Sequence, residues 1–237
     1  MTKASAAEAV TKATGGASIA EIIVDRVVHA VLEHRLPPGT KLSESILCES
    51  FTAGRSTVRR ALVLLAERGI VTLEANRGAF VASPSVEEAR AVFEARRTIE
   101  PSIAASAARN IASKDIASLK SHLKNEGSAQ RSGDHHEAIR LSGEFHVALA
   151  RYACNPLLTR FVAELVARTS LIIGLFGSPG STHCLCDDHV ALVEALTLKD
   201  GAAASTLMLH HLDRIEAHLD IGVLINAKAD LAAVLRG

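Results

Sequence analysis

The chain has 237 residues, and its 26 Lys+Arg are balanced by 26 Asp+Glu, with 11 His besides. A composition that is 48% hydrophobic and 22% charged excludes a disordered polymer and supports a globular core, in one large domain or two modest ones. Aromatics make up only 3% of the chain, against abundant Ala and Leu, which favours packed helices over a sheet sandwich.

Residues 1–18 are small and polar, so they read as a flexible tail without a secretory apolar core. Ile22, Ile23, Val27, Val28, Val31 and Leu32 then recur at helical spacing, predicting a helix from Ile19 to His34. Pro37-Pro38-Gly39 ends it. A short second helix is expected from Ser43 or Ser45 to Phe51, and a third from about Ser56 to Arg68, with Gly69 as its C-cap. Ile70–Leu73 and Ala79–Val81 flank Glu74-Ala75-Asn76-Arg77-Gly78, whose Asn and Gly supply turn chemistry, so this segment reads as a hairpin. Three helices and a hairpin make a winged helix-turn-helix over 19–84. From Val86 onward the pattern is helical throughout, at about 86–111, 114–128, 135–152, 155–175, 185–199 and 201–225, an all-α bundle over 85–237. The expected fold is therefore mainly α. No apolar stretch approaches the roughly 20 residues that span a bilayer. Four cysteines without a signal peptide read as reduced thiols, so a cytoplasmic protein without a membrane partner is expected.

Helix three opens with Gly54-Arg55-Ser56-Thr57-Val58-Arg59-Arg60-Ala61-Leu62. A recognition helix needs short polar and Arg side chains in its first turns, facing base edges and phosphates, above an apolar opposite face. Val58, Ala61, Leu62 and Leu65 supply that face. Arg55 and Arg59 lie four apart on one side, and Ser56 and Thr57 reinforce the phosphate-binding helix N-terminus. A plain solvated face is the alternative for an isolated Arg pair, but the succession of turn, Arg-rich helix start and hairpin with Arg77 at its tip favours DNA.

Leu36-Pro37-Pro38-Gly39-Thr40-Lys41-Leu42-Ser43-Glu44, then Gly54–Leu62, then Asn76-Arg77-Gly78-Ala79-Phe80-Val81 resemble the GntR family of bacterial transcriptional regulators. The resemblance implies a homodimer on a short palindromic double-stranded operator, with Arg55, Thr57 and Arg59 at the DNA and the Gly78 wing in the minor groove. Arg60 departs from the acidic residue usual in the family. The expected DNA face is Arg55, Ser56, Thr57, Arg59, Arg60, Arg77 and Gly78. Residues 1–84 carry 10 Lys+Arg and 8 Asp+Glu, a net charge of only +2, so affinity depends on a few placed arginines used twice.

The helical half holds nine of the 11 His. His146, His189 and His211 fall on apolar faces of three separate helices, whereas His210 faces outward. Each of the three reads either as a core histidine bonded to a carbonyl or as one of three ligands converging on a metal. His183-Cys184-Leu185-Cys186-Asp187-Asp188-His189 is a competing cluster, but Cys-x-Cys is not the usual structural-zinc spacing.

Phe93–Glu100, Glu144-Phe145-His146, Asn155-Pro156-Leu157-Leu158, Asp188-His189 and His211-Leu212 resemble the FCD effector domain of FadR-type GntR members. The resemblance implies a divalent metal held by His146, His189 and His211, with zinc first and nickel or manganese as alternatives. The family's Asp ligand would stand four residues before His146, where this chain has Ser142. Three neutral imidazoles leave a divalent ion uncompensated, which favours an anionic ligand, a small carboxylate effector in this family. Arg96 and Ser142 are the expected effector contacts, although Arg96 also stands four residues before Glu100 as a simple ion pair. The expected function is a metabolite-responsive repressor. The alternative is a metal-dependent hydrolase on the three-His site, with Glu144 and Asp188 as the nearest bases in sequence.

Overall fold

The computed structural model describes residues 18–177 and 186–221. The chain divides into two compact units between Ser83 and Pro84.

In the first unit α1 (Ile19–Leu32) is started by Ser18, whose hydroxyl accepts from Glu21 N while the Glu21 carboxylate accepts from Ser18 N, a capping box. Ser18 therefore belongs to the helix and not to a tail; residues 1–17 lie outside the described residues. α2 (Glu44–Ser50) and α3 (Arg55–Glu67) follow, and α3 buries Val58, Ala61, Leu62 and Leu65 as its periodicity requires. β2 (Val71–Glu74) and β3 (Gly78–Val81) form the hairpin, paired from Val71↔Val81 to Glu74↔Gly78. Asn76 (φ 61°) and Gly78 (φ 102°) take the left-handed conformations the reversal needs. A third strand was missed in sequence: β1 (Lys41–Leu42) pairs antiparallel with the outer side of β3, giving the order β1-β3-β2. Two residues are too short for an alternating pattern to register. Ile23, Val27, Leu65, Ile70 and Val81 lie in the core.

The second unit contains α4 (Val86–Asn110), α5 (Ser113–Arg131), α6 (His135–Tyr152), α7 (Pro156–Phe176), α8 (Cys186–Thr197) and α9 (Gly201–Ala217). Ser85 and Glu88 form a second capping box that sets the start of α4. Asn155 caps α7, and Pro156 fits its first turn, where no N–H is needed. Two boundaries differ from expectation by more than two residues. α5 runs through Gly127 to Arg131, because Glu126 and Ala129 on its last turns are buried and packing outweighs the weak helix preference of Gly. α9 stops at Ala217, where Leu219 bridges to Gly177 and Asp220 N donates to Phe176 O at 2.8 Å; residues 222–237 lie outside the described residues. One core cluster joins Ala104, Leu119, Phe145, Leu149, Leu192, Leu196, Met208 and Leu212 of α4, α5, α6, α8 and α9. A second packs Phe93 of α4 on Ile172 and Phe176 of α7. No helix among the described residues is long and apolar enough to cross a membrane.

Candidate functional site

His146 on α6, His189 on α8 and His211 on α9 point into one place in the helical unit, each at most 3% exposed. His211 Nε2 lies 3.2 Å from His146 Nε2 and 3.1 Å from His189 Nε2. The partly open alternative, three unrelated core histidines bonded to carbonyls, is not what these contacts describe.

Each ring is held from behind by a carboxylate. His146 Nδ1 lies 2.6 Å from Glu100 Oε2, His189 Nδ1 3.0 Å from Glu126 Oε2, and His211 Nδ1 3.2 Å from Asp188 Oδ2. An ionised carboxylate only accepts, so each Nδ1 carries the proton and donates it. All three Nε2 atoms are then bare lone pairs turned toward one another. Three facing acceptors repel unless a cation or a proton stands among them, and histidines backed by carboxylates are the usual support of metal ligands. Tetrahedral zinc, with Zn–N near 2.0–2.1 Å, places its nitrogen ligands about 3.3 Å apart, close to the two Nε2 separations found.

Electrostatics reinforce the neutral rings. Burial pushes His146 down to about 4, against the upward pull of Glu100, and burial likewise holds His211 well below its ordinary value. Burial alone would raise Glu100, but the Arg96 guanidinium, together with His146, holds it down at about 2. Arg96, 2% exposed, bonds Glu100 Oε1 through Nε and donates from Nη1 to Thr169 Oγ1 at 3.2 Å. Thr169 passes its own hydrogen to Leu165 O at 2.8 Å, so the hydroxyl is used on both sides. Arg96 is thus both the i,i+4 partner of Glu100 and a neighbour of the histidine centre. Ser142 sits one turn before His146 on α6, half-buried. Phe145 stacks on His189 with centroids 4.2 Å apart, fixing that ring in its plane.

Glu100, Glu126 and Asp188 were not assigned as histidine partners from the sequence. Glu144 instead pairs with Arg140, and Asp188 also pairs with the exposed Arg214. His210 is exposed. His183, Cys184 and the Cys186 side chain, on which a cysteine-ligated cluster would depend, lie outside the described residues.

In the first unit Arg55, Ser56, Arg59, Arg60, Arg77 and Gly78 are exposed, and Thr57 is half-buried. Two of the arginines have acidic partners: Arg59 Nε lies 3.0 and 3.1 Å from the two Glu44 oxygens, and Arg77 pairs with Glu74. At the wing Lys41 and Arg77 both stand over the Phe80 ring, 5.8 and 5.4 Å from its centroid. Lys41, absent from the expected DNA face, thereby joins Arg77 in one basic patch.

Residues 19–81 match the family described as bacterial regulatory proteins, gntR family, and residues 91–214 match the FCD domain. The transcriptional regulator LutR of Bacillus subtilis is 30% identical over 203 residues, covering 76% of this chain and 92% of its own. The transcriptional repressor RspR of Escherichia coli is 27% identical over 190 residues, covering 80% and 82%. The solved structure of E. coli McbR/YncC shares the fold, with a TM-score of 0.76 at 19% identity over 85% of this chain and 96% of that one. Both halves thus match transcriptional regulators in the same order, which removes the hydrolase alternative: the chain is not an enzyme. It belongs to the GntR family of bacterial transcriptional regulators, with an FCD domain behind its winged helix-turn-helix.

Proposed function

We propose that this regulator is a cytoplasmic, metabolite-responsive repressor. It binds a palindromic operator as a homodimer, using Arg55, Ser56, Thr57, Arg59, Arg60, Arg77 and Gly78 of each protomer. A small carboxylate releases it at a divalent-metal centre held by His146, His189 and His211, with zinc the first candidate. The observation that carries the reading is the convergence of three Nε2 lone pairs whose Nδ1 protons are already committed to Glu100, Glu126 and Asp188. When bound, the metal supplies positive charge and an open coordination position for an anion. The chain's own burial holds His146 and His211 neutral, Phe145 fixes the His189 ring by stacking, and the buried Arg96 lies beside the site. Arg96 and Ser142 are the residues assigned to the effector. An effector that binds one arrangement of the dimer better than the other shifts the operator equilibrium by that difference in affinity.

Elemental analysis of protein purified without chelator, followed by gel shift on its own promoter region with a carboxylate panel, tests this. The expected result is about one metal per chain, lost in His146→Ala, which still binds operator but no longer releases it. Metal-free wild-type protein, or a carboxylate response retained in His146→Ala, overturns the metal-centred reading.

A further inference from the structure

Glu44 contributes nothing to the cores of the first unit, yet its carboxylate is the tether of a residue on the recognition helix. It stands at the start of α2, half-buried, and both its oxygens reach Arg59 Nε on α3. The two residues are 15 apart in sequence and belong to the two successive helices of the helix-turn-helix. The contact raises the already high pKa of Arg59, chiefly through the hydrogen bond to Glu44.

The chemistry of the guanidinium gives this tether a direction. Its planar fork offers a side edge, which includes Nε–H, and an end edge made by Nη1 and Nη2. Glu44 occupies Nε, so the side edge is committed. No hydrogen bond from Nη1 or Nη2 of Arg59 is formed among the described residues. The end edge is the pair of donors that meets O6 and N7 of a guanine in the major groove. The carboxylate also offsets part of the arginine's charge, so attraction to a phosphate is weakened while hydrogen-bonding capacity is kept. Arg55, one turn earlier on the same side of α3, has no such acidic partner among the described residues and keeps its full charge for the backbone.

We infer that Glu44 is a specificity-determining positioning residue: it aims the end edge of Arg59 at a guanine and withholds that arginine from phosphates. The inference rests on the reading that α3 faces DNA. It implies a division of labour in which Arg55 supplies salt-sensitive affinity and Arg59, through Glu44, supplies base choice.

The test uses full-length protein and an operator selected by it from random duplexes. Kd is measured on that operator and on a scrambled duplex across a salt series, for wild type, Glu44→Gln, Arg59→Lys and the double variant. Glu44→Gln is expected to lower the operator-to-scrambled affinity ratio about tenfold, the scale of one bidentate base contact. Its affinity for scrambled DNA holds or rises, and its salt slope steepens because an acidic group has left the interface. Arg59→Lys, which keeps the charge and loses the fork, is expected to lose the same selectivity, and the double variant no more than either. Equal thermal melting of the variants accompanies these results, since neither side chain is in the core. If Glu44→Gln keeps the wild-type ratio while Arg59→Lys loses it, the tether is incidental and the inference fails alone. If neither substitution alters the ratio or the salt slope, α3 does not read the DNA, and the inference falls together with the reading beneath it.

Discussion

His146 Nδ1 stands 2.6 Å from one oxygen of Glu100, while the other oxygen receives Arg96 Nε, so a single buried carboxylate serves an imidazole and a guanidinium at once. Glu100→Gln is expected to weaken metal binding about 10- to 100-fold, the usual cost of losing a supporting carboxylate, as read by chelator competition. The same change leaves Arg96 buried without its counter-ion and lowers stability by about 3–5 kcal/mol, as read by urea titration. Unaltered stability contradicts the ion pair, whatever the metal does.

Ser142 stands half-buried one helical turn before His146, on the same face of α6 as that proposed ligand. Ser142→Asp adds an anionic donor on the same face of α6. It is expected to lower the dissociation constant for zinc and to weaken the response to carboxylates, because the ion's charge is then partly met from within the protein. Isothermal titration with metal, and then with carboxylate on the loaded variant, checks both signs; a stronger carboxylate response counts against the charge argument.

Acid should destabilise the metal-free protein before its exposed carboxylates titrate. His146 takes up a proton near 6.5 when unfolded and only at about 4 when folded. Between those values the unfolded state binds more protons, so stability rises with pH through the window and levels off above it. A shift of this size corresponds to a loss on the order of 3 kcal/mol by the lower end of the window. Glu100, held at about 2, adds a further loss below its ordinary 4.5, in the same direction. Urea midpoints of chelator-treated protein from pH 7 down to pH 4.5 measure it, and a flat profile refutes it.

The Ser85 hydroxyl accepts from Glu88 N and closes the first turn of α4, the helix that bears Arg96 and Glu100. Ser85→Ala is expected to lower stability by about 1 kcal/mol, seen as a reduced Tm. Metal affinity should stay at the wild-type level, because residues 96–100 lie three turns away.

Much of the centre was legible from helical periodicity alone. His146 and His189 each have apolar residues at i+3 and i+4, and His211 has Leu207 at i−4 and Ile215 at i+4; that spacing turned all three inward. Their carboxylate partners left no comparable trace. Glu100 and Glu126 come from 46 and 63 residues away, on helices that precede the histidines they serve. Glu100 also looks like the far end of a surface i,i+4 pair with Arg96. Glu126 falls near the end of the expected helix 114–128, where nothing in the local pattern marks it as buried or as a partner of His189. Local pattern reports which face of an element is buried, and a hydrogen bond between remote elements depends on how those elements cross. On the DNA side, the Arg-rich helix start and the Asn-Arg-Gly turn were plain. Lys41 was hidden because its strand exists only through pairing with β3.

That two-residue strand changes what kind of object the wing is. A hairpin joined to its domain only at the base would swing at its tip. Here Thr40 O accepts from Val81 N at 2.8 Å and Val81 O accepts from Gly39 N at 2.9 Å, so the far strand is buttressed by the segment leaving α1. Gly39 reaches this position at φ 80°, a conformation that side-chain-bearing residues adopt only with strain. The pitch of the wing is accordingly set at Gly39, on the opposite flank from Gly78. A substitution there is expected to shift the turn that carries Arg77 without changing the identity of any side chain proposed to face DNA.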